Sequence, residues 1–127
     1  MTLRKCYQEL GGDLAQVEQR LPYPKRIQRL LALFPDDDSF AALCQAMQKG
    51  CRTEAFRAAH TLKGVCGNLG LDKLMASSSR LTERLRPETA GDAVPEDAFR
   101  LLEAVRQDYE QTVRTIRAYL ASDSPSD

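Results

Sequence analysis

Apolar residues recur at three- and four-residue intervals along almost the whole chain, and no run alternates apolar with polar over several residues. That pattern fits helices that bury one face each and excludes a half-buried sheet. Gly and Pro cut it at usable intervals, so boundaries can be read directly. A first helix covers about 3–10 and ends at Gly11-Gly12, and Asp13 can cap a second that runs to Leu21, where Pro22-Tyr23-Pro24 interrupts it. A third covers about 25–34, with Ile27, Leu30, Leu31 and Phe34 on one face and Pro35 as its stop. Asp36-Asp37-Asp38-Ser39 suits the start of a fourth, about 39–49, by capping and by the helix dipole. That helix carries Phe40, Leu43, Cys44 and Met47 and ends at Gly50.

The fifth helix runs from Thr53 to a stop at Gly70, and the sixth covers about 72–86 with Leu74, Ser78, Leu81 and Leu85 in line, ending before Pro87. The segment 87–94 (PETAGDAV) reads as a linker. Pro95 then opens the longest helix, about 95–121, with Glu96 and Asp97 in its first turn. Its stripe is Phe99, Leu102, Val105, Tyr109, Val113, Ile116 and Leu120. Short loops between four long amphipathic helices predict an all-α fold: an antiparallel four-helix bundle capped by short N-terminal helices. The 127 residues fit one domain, over 1–121, with a polar tail at 122–127. No long heptad array demands a second copy, so a monomer is expected.

Charge narrows the function. Eighteen Lys and Arg balance eighteen Asp and Glu, which excludes a general binder of nucleic acid or of anionic membranes. No apolar run is long enough to span a bilayer, and the first residues lack the apolar stretch of a secretory signal. A cytoplasmic protein with reduced thiols is expected. Cys6, Cys44, Cys51 and Cys66 form no closely spaced pairs, and one histidine cannot complete a zinc or di-metal helical site. Cys44, Cys51 and Cys66 fall at core-compatible positions and read as packing residues. From Lys49 to Arg86, eight basic residues face three acidic ones, and from Glu88 onward nine acidic residues face four arginines. Solvated helix faces account for such a pattern, and an acidic or phosphorylated partner of the middle hairpin is the functional alternative.

His60 lies inside the fifth helix. At about 100° per residue, Cys51, Ala55, Ala58, Leu62, Val65 and Leu69 fall roughly opposite to it and mark the core side. Phe56, Lys63, Gly64 and Gly67 fall within about 60° of the histidine, which therefore points away from the core. A glycine inside a helix costs roughly 1 kcal/mol against alanine, and the core on the opposite face does not explain two of them here. Small residues beside an exposed imidazole leave room for another protein to come close. Lys63 adds a cation able to hold an anion attached to His60.

Ala59-His60-Thr61-Leu62-Lys63-Gly64, continuing Val65-Cys66-Gly67-Asn68-Leu69-Gly70, closely resembles the phosphorylation motif of histidine-containing phosphotransfer (HPt) domains. A looser likeness takes in Leu10 to Asp13, Leu31 to Phe34, and Ser78, Leu81, Leu85 and Arg86. The resemblance implies that His60 is phosphorylated, that Lys63 supports it electrostatically, and that Gly64, with Gly67, Phe56 and Asn68, meets a docking partner. It implies response-regulator receiver domains and a hybrid sensor histidine kinase as partners, with Mg²⁺ on the receiver and no cofactor on this chain. No Walker-type or other nucleotide-binding motif is present, so the chain is expected to be a phosphotransfer protein rather than an enzyme that phosphorylates itself. A non-catalytic adaptor of the same fold is the alternative. A second is the phosphorylated domain of a chemotaxis-type kinase, whose dimerisation and ATP-binding domains are not expected in a chain ending at Asp127.

Overall fold

A computed structural model describes residues 1–87 and 91–122. Among these residues, seven α-helices form close to where the periodicity predicts them: α1 (Leu3–Leu10), α2 (Leu14–Arg20), α3 (Pro24–Leu33), α4 (Ser39–Lys49), α5 (Arg52–Leu69), α6 (Asp72–Leu85) and α7 (Ala98–Ala121). No strand occurs among the described residues. Part of the expected linker, 88–90, and residues 123–127 of the expected tail lie outside the described residues.

Local chemistry sets most of the ends. The Thr2 hydroxyl accepts the Lys5 N–H (3.0 Å) and the Asp13 carboxylate accepts the Gln16 N–H (3.0 Å), satisfying donors that a helix start leaves open. At α4 the cap comes from Asp37, which accepts the Ser39 N–H at 2.9 Å; Asp38, at the capping position, makes no such bond. Gly11, Gly50 and Gly70 end α1, α4 and α5 in the left-handed region, at φ of +62°, +73° and +66°.

α4 to α7 pack as a ring, α4 on α5, α5 on α6, α6 on α7 and α7 back on α4. Turns of two residues between α4 and α5 and between α5 and α6 make successive helices antiparallel. α1 and α3 lie on α7, and α3 also reaches α5, so the N-terminal helices cap the bundle. The core runs from Leu3, Cys6 and Tyr7 through Ile27, Leu31 and Leu43 to Val105, Ile116 and Tyr119.

Several sequence expectations need correction. α7 starts at Ala98, not Pro95. Residues 95–97 form a tighter turn, in which the Ala98 N–H donates to the Pro95 carbonyl (3.0 Å) and that of Phe99 to Glu96 (3.2 Å). Arg84 ties this turn to the end of α6 through both oxygens of Asp97 (2.9 and 3.1 Å). Ala98 and Tyr119 are buried along α7, whereas Phe99, expected in the stripe, is exposed and Leu120 is half-buried. Leu30 is exposed rather than buried, and Cys51, Ala58 and Val65 are half-buried. The core side of α5 is carried instead by Ala55, Ala59, Leu62, Cys66 and Leu69. Cys44 is half-buried too, while Cys6 and Cys66 are buried; all four cysteines are free. Burial pushes the Cys6 and Cys66 thiols up to about 12, so both stay protonated and unreactive near neutrality.

Candidate functional site

α5 carries His60 and is held at both ends. At its start, the Asp92 carboxylate accepts the Thr53 N–H (3.0 Å) and the Thr53 hydroxyl (2.7 Å), and the Asp92 carbonyl accepts the Arg52 N–H (3.2 Å). These hydrogen bonds hold the Asp92 carboxyl below the usual range. Asp92 thus caps α5 from a segment that reads as linker in the sequence. The buried Arg52 side chain crosses to the end of α6, donating to the carbonyls of Leu85 (3.1 Å), Arg84 (3.3 Å) and Arg86 (3.0 Å). One guanidinium satisfies three acceptors that a helix C-terminus leaves open, with the charge the dipole favours.

The other end is fixed by the N-terminal cap. The Tyr7 hydroxyl donates to the Leu69 carbonyl (2.6 Å), and the Asp13 N–H donates to that of Gly70 (3.1 Å). Arg20 donates to the carbonyls of Gly67 (3.2 Å) and Asn68 (3.1 Å). A side chain at Gly12 would collide with the Gly70 carbonyl oxygen and the Tyr7 ring.

Between these anchors His60 is exposed on the outer face of α5. The half-buried Phe56 ring lies one turn before it, tilted by 41° with centroids 6.1 Å apart. Phe56, Arg57, His60, Thr61 and Arg86 line one shallow depression. Lys63 is half-buried one turn on. Gly64 is exposed, and a Cβ there would meet nothing within 4 Å. Gly67 differs from it: half-buried, it faces Met75 of α6, whose sulfur would lie 3.6 Å from an added Cβ. Asn68 is exposed at the rim of an apolar groove of about 400 Å³ formed by Leu30, Leu33, Phe34, Val65 and Leu69.

The structure therefore brings His60, Phe56, Lys63 and Gly64 onto one face, with Gly67 turned toward α6 and Asn68 toward the groove. The groove was not visible from the sequence, because Leu30 and Val65 look like core residues on a helical wheel. The signal available is a surplus: α3 has Leu30 and Leu33 in addition to the Ile27, Leu31 and Phe34 that its core face needs. Arg86 enters the sequence reading only through the looser resemblance, since its place beside Phe56 depends on how α6 folds back along α5.

The family model of the Hpt domain matches residues 2–115, and the chain belongs to that family. No curated protein and no solved structure matches it. Hpt domains are phosphotransfer modules of two-component signalling that work with receiver domains and kinases. Among the described residues, no helix is long and apolar enough to cross a membrane.

Proposed function

We propose that this chain is a phosphorelay intermediate, which accepts a phosphoryl group on His60 from the aspartyl phosphate of one receiver domain and delivers it to another. The observation that carries the reading is an exposed imidazole whose next turn, at Gly64, offers open space. In the forward step the lone pair of one ring nitrogen attacks phosphorus while the other nitrogen keeps its proton. A P–N bond forms, the acyl P–O bond breaks, and its electron pair leaves with the aspartate carboxylate. Delivery to the second receiver reverses these bonds. The receiver brings Mg²⁺, which neutralises charge on the moving phosphoryl group.

This chain contributes position, nucleophile and cation. The anchors at both ends of α5 hold the imidazole on a rigid element, as transfer within a docked pair requires. Lys63 supplies positive charge for the phosphorylated state. The face running from Gly64 past Asn68 to the Leu30–Leu33 groove gives a receiver an apolar surface further along the helix that carries the imidazole. The cell interior, where receivers and kinase cytoplasmic domains are found, is the compartment this role requires.

The test uses purified receiver domains labelled at aspartate by a small phosphoryl donor. Label should move to this chain in an acid-labile, base-stable form, and His60→Gln should abolish the transfer while leaving the helical circular dichroism unchanged. Labelling that persists in His60→Gln contradicts the assignment, since the chain has one histidine. Receiver binding without any transfer would instead mark an adaptor.

A further inference from the structure

The depression beside His60 is lined by a second cation, Arg86, whose backbone is anchored. Arg86 ends α6, and its carbonyl is held by Arg52 from α5 (3.0 Å). Its guanidinium lies over the Phe56 ring, 5.2 Å from the centroid, and Phe56 in turn lies against the His60 imidazole. Arg86 and His60 line the same depression, on the side of α5 that also carries Lys63. In the free protein this guanidinium is already engaged. Glu83, one turn back on α6, accepts from Arg86 Nε at 3.0 Å and from Nη2 at 2.9 Å, a two-point pairing of the kind a phosphoryl group also offers.

Resting on the reading of His60 as the phosphorylated residue, we propose that Arg86 holds the phosphoryl group of phosphohistidine and that Glu83 is the counter-ion it exchanges for that group. The stack on Phe56 keeps the guanidinium plane beside the imidazole whichever anion it binds. A phosphoryl dianion carries more charge than one carboxylate and presents three acceptor oxygens, so it competes well for the fork. Both sides of the exchange are exposed, with Arg86 and Glu83 side chains 57% and 60% accessible, so the guanidinium can turn without disturbing the core. The Glu83 carboxyl is held below its usual range chiefly by Arg86. A protein built this way keeps this cation paired when empty and commits it when loaded.

The experiment needs no partner protein. Phosphoramidate, a small phosphoryl donor, loads His60 in the parent, Arg86→Gln, Glu83→Gln and the double variant, and ³¹P NMR follows loss of the phosphohistidine signal. Circular dichroism confirms that each variant is folded. Arg86→Gln should shorten the half-life by about two- to fivefold, the range that exposed charge pairs deliver. Glu83→Gln should lengthen it, and the double variant should behave like Arg86→Gln, because Glu83 acts through the arginine. An unchanged half-life in Arg86→Gln overturns the proposal, and so does a Glu83→Gln effect that survives in full without Arg86. Either result leaves the relay reading standing. Conversely, the expected half-lives with no transfer from any receiver would sink the relay and keep the exchange. A parent that takes no phosphoryl group from phosphoramidate contradicts both.

Discussion

Glycine occurs in two regions of this molecule for opposite reasons. At the junction of the N-terminal cap with the end of α5, Gly12 and Gly70 are crowded. A side chain at Gly12 would run into the Gly70 carbonyl and the Tyr7 ring, and one at Gly70 would come within 2.5 Å of Val17 Cγ2. Gly70 also sits at φ +66°, where L-residues are strained. On the His60 face, Gly64 is an ordinary helical residue with open space where a Cβ would stand. Nothing inside the chain requires glycine there, and helix propensity disfavours it by roughly 1 kcal/mol. The first region explains its glycines by contacts within the fold. The second has no such contacts, which is the clearance that a docking partner would need.

That contrast is testable at both ends. The largest effect on stability belongs to Gly70→Ala, which adds strain and a collision to a junction with no slack. A loss of about 2–4 kcal/mol is expected, with a fall in Tm on the order of 10 °C. Thermal unfolding by circular dichroism checks it; a Tm within a degree of the parent would mean that the crowding relaxes freely and the contrast fails. A smaller effect follows for Tyr7→Phe, which removes the hydroxyl at 2.6 Å from the Leu69 carbonyl and leaves that buried acceptor unpaired. A cost of about 1–2 kcal/mol is expected by urea denaturation, with the m-value unchanged. Because the same contact anchors the end of α5, no change in stability would show that the cap does not hold the helix.

Much of this organisation is legible in the sequence. Helix ends marked by Gly11, Asp13, Gly50 and Gly70 fall where backbone chemistry places them, because capping is local. His60, Lys63 and Gly64 can be placed on the outer face from helical geometry alone, since α5 is regular from Arg52 to Leu69. Features that depend on a neighbouring element are hidden. Asp92 reads as linker because its partner Thr53 is far away in sequence, and Arg52 reads as one more surface cation although it is buried on the end of α6. Leu30, at 40% exposure, looks like core because a helical wheel shows which face is apolar and not how much of it the neighbours cover. Pro95 is a fair signal for a helix start, yet residues 95–97 form a tighter turn, tied to α6 through Asp97 and Arg84, and the α-helix starts at Ala98.

Whether Gly64 is kept clear for a partner rather than for the fold is decided by Gly64→Leu on a single preparation. Leucine favours the helix by nearly 1 kcal/mol over glycine, and its side chain enters space that this chain leaves empty. Thermal unfolding and the rate of phosphoryl transfer from a labelled receiver domain are measured on the same sample. The account predicts a Tm equal to or above that of the parent together with transfer slowed by about tenfold or more, the loss expected when reacting groups are held apart. A lowered Tm with transfer intact would contradict it, making Gly64 a packing residue and leaving the open face without a function.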